Sequence, residues 1–188
     1  MKTKICILSL MLAASLPAWG TLYQSGNLAG TVIPDNNTIG TGNTLTYTPS
    51  PVIDPGGNGI VYMTGLTLSF TLQGGVSTDL SGYLRLGNTT GSPSYNLSSI
   101  IQNQSLSGGS PVTYTVDFNT AGFQTTFNGL NPNNPWTLFF ADTVNGDQTT
   151  LNGWSLDITA VPEPVTLALV VFLVMLLALA GLRWAWRT

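Results

Sequence analysis

Asp142, Asn145 and Asp147 fall within one short stretch, Ala141-Asp142-Thr143-Val144-Asn145-Gly146-Asp147, and Asp79 stands far upstream in Thr78-Asp79-Leu80. Carboxylate and amide oxygens on loops are the hard ligands that calcium takes. These four residues therefore form the candidate metal set, with Asp79 brought in from a second loop. The spacing is not that of an EF-hand. A simpler reading of the same residues is a hairpin turn, because Asp and Asn hydrogen-bond their own backbone and Asn145-Gly146 accepts positive φ. Calcium is the only cofactor the sequence offers.

Other chemistry is excluded by what is missing. The chain has no histidine, and its only cysteine is Cys6. Ser-His-Asp and Cys-His nucleophiles, and zinc sites built on those ligands, are ruled out. A glycosidase needs two carboxyl groups facing one cleft. No glutamate precedes Glu163, and Asp142, Asp147 and Asp157 fall in an apparent turn or on an outward face. No enzyme is expected. Residues 21–160 contain seven aspartates and a single cation, Arg85, for a net charge of −6. With no basic patch, nucleic acid is not a partner.

The elements that must position these groups are strands. Leu66, Leu68, Phe70 and Leu72 alternate with Thr67, Ser69 and Thr71 inside a long candidate, Ile60 to Leu72, interrupted by Gly65. Period two sends the first set into a core and the second towards water. Thr44 to Thr48, Leu80 to Leu86, Tyr95 to Ile101, Val112 to Phe118, Trp136 to Phe140 and Trp154 to Ile158 read the same way. Turn clusters separate them: Pro55-Gly56-Gly57-Asn58-Gly59, Gly108-Gly109-Ser110-Pro111, Asn131-Pro132-Asn133-Asn134-Pro135 and Val144-Asn145-Gly146-Asp147. No helical stripe precedes Val165. About eight short strands predict an all-β fold, an antiparallel β-sandwich of jelly-roll type. Trp136 and Trp154 begin inward sets and belong to the core rather than to a sugar-stacking platform. Tyr23, Tyr47 and Tyr95 are the candidates for an exposed binding surface. Asn36, Asn88, Asn96 and Asn103 begin N-x-Ser/Thr triplets, a number that chance supplies in a chain so rich in these residues.

Both ends read as targeting segments. Lys2 and Lys4 precede the apolar stretch Ile5 to Leu16 and the small-x-small site Ala18-Trp19-Gly20, so residues 1–20 are a signal peptide and Thr21 is the first mature residue. Without its cysteine, the exported domain of residues 21–160 depends on a hydrophobic core rather than disulfides. At the other end, Val161-Pro162-Glu163-Pro164 leads into an uncharged run, Val165 to Leu182, then Arg183, Trp184, Trp186 and Arg187. Its 18 residues would span roughly 27 Å as a helix. The arginines suit a stop-transfer signal and the tryptophans a headgroup interface.

This tail resembles the PEP-CTERM sorting signal of Gram-negative bacteria, carried by Val161, Pro162, Glu163, Pro164, the apolar helix, Arg183 and Arg187 over residues 161–188. The resemblance implies an exosortase-type membrane enzyme that removes the tail near Pro-Glu-Pro. The central domain resembles the P/Homo B domain of proprotein convertases. The residues that carry this are Val32-Ile33-Pro34-Asp35-Asn36, Asp79-Leu80 with Tyr83-Leu84-Arg85-Leu86, Trp136 to Asp142, Asn145-Gly146-Asp147 and Leu151 to Leu156. It implies a jelly-roll sandwich. Two departures stand out: no histidine precedes Asp79-Leu80, and Thr149 replaces the glycine two positions after Gly146-Asp147. No protease domain is present to brace.

The expected protein is non-enzymatic and exported through the inner membrane. A C-terminal transmembrane helix first holds it there. An exosortase-type enzyme then processes it for the cell surface or extracellular matrix, in association with exopolysaccharide. The rival expectation is an adhesin or lectin-like module that binds carbohydrate or protein, with or without calcium. A third is an inhibitor or accessory subunit of a separate protease.

Overall fold

Alternation of apolar and hydroxyl side chains sets the architecture, and the partners of each strand set its order. The computed structural model describes residues 21–36, 44–47, 61–106, 108–162 and 171–179. The signal segment 1–20, the turn cluster 55–59, Glu163, Pro164, Arg183 and Arg187 lie outside the described residues.

Nine strands are described: β1 (Thr21–Gln24), β2 (Leu28–Ile33), β3 (Thr44–Tyr47), β4 (Val61–Gln73), β5 (Leu80–Leu86), β6 (Ser94–Asn96), β7 (Val112–Asp117), β8 (Trp136–Asp142) and β9 (Thr149–Pro162). They form two antiparallel sheets. In the first, β9 has β4 on one side and β1 and β2, one after the other, along its opposite side; β7 lies beyond β4. The second has the order β3-β8-β5-β6. Every outward-facing residue of β4 alternates with a buried one, save where the register shifts between Met63 and Gly65 and between Thr71 and Leu72. Those irregularities insert a residue without letting the apolar set rotate to the wet face.

The two sheets share one core. Leu66, Leu68, Phe70 and Leu72 of β4 and Trp154, Leu156 and Ile158 of β9 are buried, as are Leu80, Leu84 and Leu86 of β5 and Trp136, Leu138 and Phe140 of β8. Phe70 joins the sheets directly: its ring stacks on Tyr114 of β7 at 5.0 Å and meets Phe140 of the second sheet at 5.3 Å. On the outer face, hydroxyl pairs cross from β4 to β7, with Thr71 and Thr113 at 2.9 Å and Ser69 and Thr115 at 3.3 Å. Such cross-strand pairs add modestly to sheet stability.

Several elements differ from the sequence reading. The stretch Tyr95 to Ile101 is not one strand. β6 ends at Asn96, whose side-chain oxygen accepts from Ser98 N at 2.7 Å, and the chain turns into a helix, Ser98–Gln102, that buries Ile101. A second five-residue helix, Phe123–Phe127, drives Phe123 and Phe127 into the core at adjoining positions of one face. Both are too short to leave a helical stripe in the sequence. β1 and β2 were not expected as strands. Their small and polar residues carry little pattern of their own, and both are specified by β9, more than a hundred residues away.

Thr149, the departure from the glycine pattern, is fully buried and its hydroxyl donates to Gly74 O at 3.4 Å. Gly75, at φ +70°, leaves open the space that Thr149 Oγ1 occupies; a Cβ there would collide with it. Downstream, residues 171–179 are helical, with Phe172, Leu173, Val174, Leu177 and Leu179 exposed. Among the described residues no helix is long and apolar enough to cross a membrane. Residues 165–170 and 180–182 of the apolar run lie outside them.

Trp154 is 2% exposed and pairs with Leu28 on one side and Phe70 on the other. Trp154→Ala should cost about 3–5 kcal/mol, a large share of the roughly 5–15 kcal/mol that a domain commonly has. Thermal melting of the variant should fall sharply or the protein should fail to accumulate; an unchanged melting temperature would deny Trp154 its core role.

Candidate functional site

One end of the sandwich gathers Asp35, Asp79, Asp142 and Asp147. β8 runs with Trp136, Leu138 and Phe140 inward, and the same alternation carries Asp142 inward at its last position. The expectation of Asp142 in an exposed turn is therefore corrected: it is 1% exposed. It pairs in register with Leu80, which follows a 3-10 turn at Ser77–Asp79. Thr143 ties the two segments together, donating to Asp79 O from its backbone N at 3.0 Å and its hydroxyl at 2.9 Å. Asp79 Oδ1 itself accepts from Thr78 Oγ1 at 3.1 Å.

Asn145 and Asp147 are exposed on the β8–β9 loop, which crosses from one sheet to the other and is not the hairpin the sequence suggested. Its tip is fastened from an unexpected direction. Gly146 N donates to both carboxylate oxygens of Asp35, at 3.0 and 3.3 Å. Asp35 lies just past β2, 111 positions before Gly146. Sequence reasoning placed Asp35 in a family-like stretch but not at this end. The only local signal was its turn-like setting, Pro34-Asp35-Asn36.

Asp142 is the most constrained of the group. Its Oδ1 accepts from Val144 N at 3.4 Å, while its Oδ2 is buried with no hydrogen-bond partner. Burial pushes its carboxyl above the ordinary range; the Val144 N–H opposes this, and the nearby charges of Asp35, Asp79 and Asp147 add to it. Three other carboxylates at this end thus bear on Asp142. Among the described residues, however, no three carboxylate, imidazole or thiolate groups stand together closely enough to hold a metal ion.

The other candidate binding residues separate by burial. Trp136 is fully buried, with its indole N–H donating to Pro132 O at 3.1 Å. Tyr23 and Tyr95, expected at an exposed surface, instead pack against the core. Tyr95 meets the Phe123 ring edge-on at 5.1 Å and donates its hydroxyl to Ala121 O at 3.1 Å. The side chain of Tyr47 lies outside the described residues. An aromatic-cation stack not foreseen in the sequence occupies the outer face of the second sheet. Tyr83 of β5 stacks on Phe139 of β8 at 4.7 Å, and the Arg85 guanidinium lies 4.4 Å over the Tyr83 ring. All three are partly exposed, and Arg85 Nε has no hydrogen-bond partner.

No family model matches the chain. No curated protein matches it either. Among solved structures, dimeric latent PorU from Porphyromonas gingivalis is similar at 15% identity and TM-score 0.37, over 77% of this chain; this chain spans only 13% of that one. The coat protein of Tobacco streak virus, as a dimer, is similar at 11% identity and TM-score 0.32, over 80% of this chain and 90% of that one. A second crystal form of the coat protein aligns at 10% identity and TM-score 0.28, over 80% of this chain and 92% of that one. Likenesses this distant carry no argument about function.

Two measurements address the acidic end. Because the folded-state pKa of Asp142 is raised, its contribution to stability is full below the unfolded value, about 3.9, and is lost as pH rises through the folded one. Asp142→Asn removes that dependence. Melting across this range should therefore shift in favour of the variant as pH rises towards neutrality; parallel pH curves for the two proteins would contradict the shift. For calcium, identical melting in calcium and in chelator is expected, since no carboxylate cage is formed among the described residues. A rise in calcium that Asp147→Asn abolishes would instead make this end a calcium site, worth about 2.7 kcal/mol at one hundred times the dissociation constant.

Proposed function

We propose that this chain is a non-enzymatic, exported surface or extracellular-matrix protein built on a jelly-roll sandwich. In this reading, residues 165–182 form a transmembrane helix that anchors the precursor. An exosortase-type membrane enzyme recognises Val161-Pro162-Glu163-Pro164 with the following helix and arginines, and detaches the domain for association with exopolysaccharide.

The observation that carries the reading is the order of the tail: Pro-Glu-Pro, an uncharged run and terminal arginines, in sequence. Two structural features support it. β9 includes Val161 and Pro162, so the motif follows directly on the domain with no linker between them. The helical residues 171–179 expose apolar side chains all around, which is how a lipid-facing helix is composed.

A second reading, a carbohydrate-binding module, is favoured by the Arg85–Tyr83–Phe139 stack. A partly exposed aromatic pair beside a guanidinium can hold a sugar ring and donate hydrogen bonds to its oxygens.

Intact-mass measurement on protein from the native cell envelope tests the principal reading. A species beginning at Thr21 and ending near Glu163 is expected. Recovery of only full-length protein that retains its apolar tail would remove the sorting proposal.

A further inference from the structure

The outer face of the first sheet changes character along its length. Over most of β4, β7 and β9 it presents Thr67, Ser69, Thr71, Thr113, Thr115, Ser155 and Asp157. At the end where β9 exits, it presents Leu22, Val161 and Tyr62 beside Thr64 and Thr159. Val161 pairs with Tyr62 in register, and Leu22 pairs with Thr159, one outward row away. Leu22 is 58% exposed although it sits in a paired strand. Val161 and Tyr62 are partly exposed. No charged residue stands among them.

We propose that this patch seats the domain on the lipid surface while the precursor is anchored, a proposal that rests on the membrane-anchor reading above. Chain length confines the domain to that surface. Only Glu163 and Pro164 separate the last paired residue from the apolar run, a reach of about 10 Å between Pro162 and Val165 even when fully extended. The end of the sheet that bears Leu22, Tyr62 and Val161 is the end brought to the bilayer. Its composition suits that position: a tyrosine with aliphatic neighbours matches the boundary between headgroups and acyl chains.

Charge distribution agrees. A domain with net charge −6 is repelled by anionic lipid, but only within a screening length of about 8–10 Å. Asp35, Asp79, Asp142 and Asp147 lie at the opposite end, where β9 begins. The strand between has 14 residues and a length of roughly 43 Å. Asp157, four positions before Val161, is about 13 Å up the strand, and Asp117 of β7 stands in the same row of that face. The patch is thus the end that anionic lipid repels least.

Spin-label accessibility in the full chain tests this. In a Cys6→Ser background, labels are placed through Leu22→Cys, Thr115→Cys and Leu176→Cys, and the protein is reconstituted in phosphatidylethanolamine–phosphatidylglycerol vesicles. The Leu22 label should shift towards relaxation by oxygen over a water-soluble nickel chelate, while the Thr115 label favours the chelate. If the Leu176 label is in lipid and the Leu22 label is as wet as that at Thr115, the seat is overturned and the anchor stands. A Leu22 label shielded from both reagents would mean contact with protein, a second copy included, and would also overturn it. A Leu176 label in water would overturn both readings together.

Discussion

The pairing of β9 with β4 is the constraint on which the remaining structure depends. The two strands, 14 and 13 residues long, stay hydrogen-bonded along nearly their whole length, from Val61–Pro162 to Gln73–Thr150. Their inward residues form the floor of the core, and their phase decides which face is dry. A slip of one position would expose Trp154, Leu156 and Ile158 and bury Ser155, Asp157 and Thr159. The register shifts at Met63/Gly65 and Thr71/Leu72 matter because they absorb mismatched length without such a slip. β1, β2 and β7 then add to positions already fixed, and the second sheet closes over the same apolar floor.

That central strand also gives the molecule two unlike poles. Where β9 begins, the β8–β9 loop is tied to Asp79 through Thr143 and to Asp35 through Gly146, and Asp142 is held inward beneath it. Hydrogen bonds from backbone N–H groups partly offset the clustering of carboxylates there. Burying Asp142 with one oxygen unpartnered remains costly for its charged form, which is why its affinity for a proton rises. Where β9 ends, charge gives way to Leu22, Tyr62 and Val161. Such a polar axis along one strand is what the proposed seating of the anchored precursor on a membrane requires.

With no histidine in the chain and no cysteine in residues 21–160, packing and backbone pairing define the domain. Phe70 illustrates how much one residue then has to do. It stacks on Tyr114 within its own sheet and touches Phe140 across the core. Thr149 shows the same economy at the acidic pole: a residue larger than glycine fits because Gly75, in a left-handed conformation, has no Cβ to oppose it.

The sequence by itself determined the strands whose two faces differ. Leu66 to Leu72 against Thr67 to Thr71, and Val112 to Phe118, are legible because period two is a local property, and the core roles of Trp136 and Trp154 follow from it. It also determined the absence of histidine and the acidic balance, which need no coordinates. Tertiary structure decided whatever depends on a distant partner. β1 and β2 are strands because β9 offers them hydrogen bonds; Tyr23 and Tyr95 are packed because neighbours far along the chain cover them. Asp142 looked like a turn residue from its flanks, yet its alternation with Phe140 continues inward, and only the folded β5–β8 pairing shows that the strand has not yet ended there. Asp35 joins it from 111 positions before Gly146, a proximity that no local pattern encodes, because it is set by how the sheets close and not by the residues beside it.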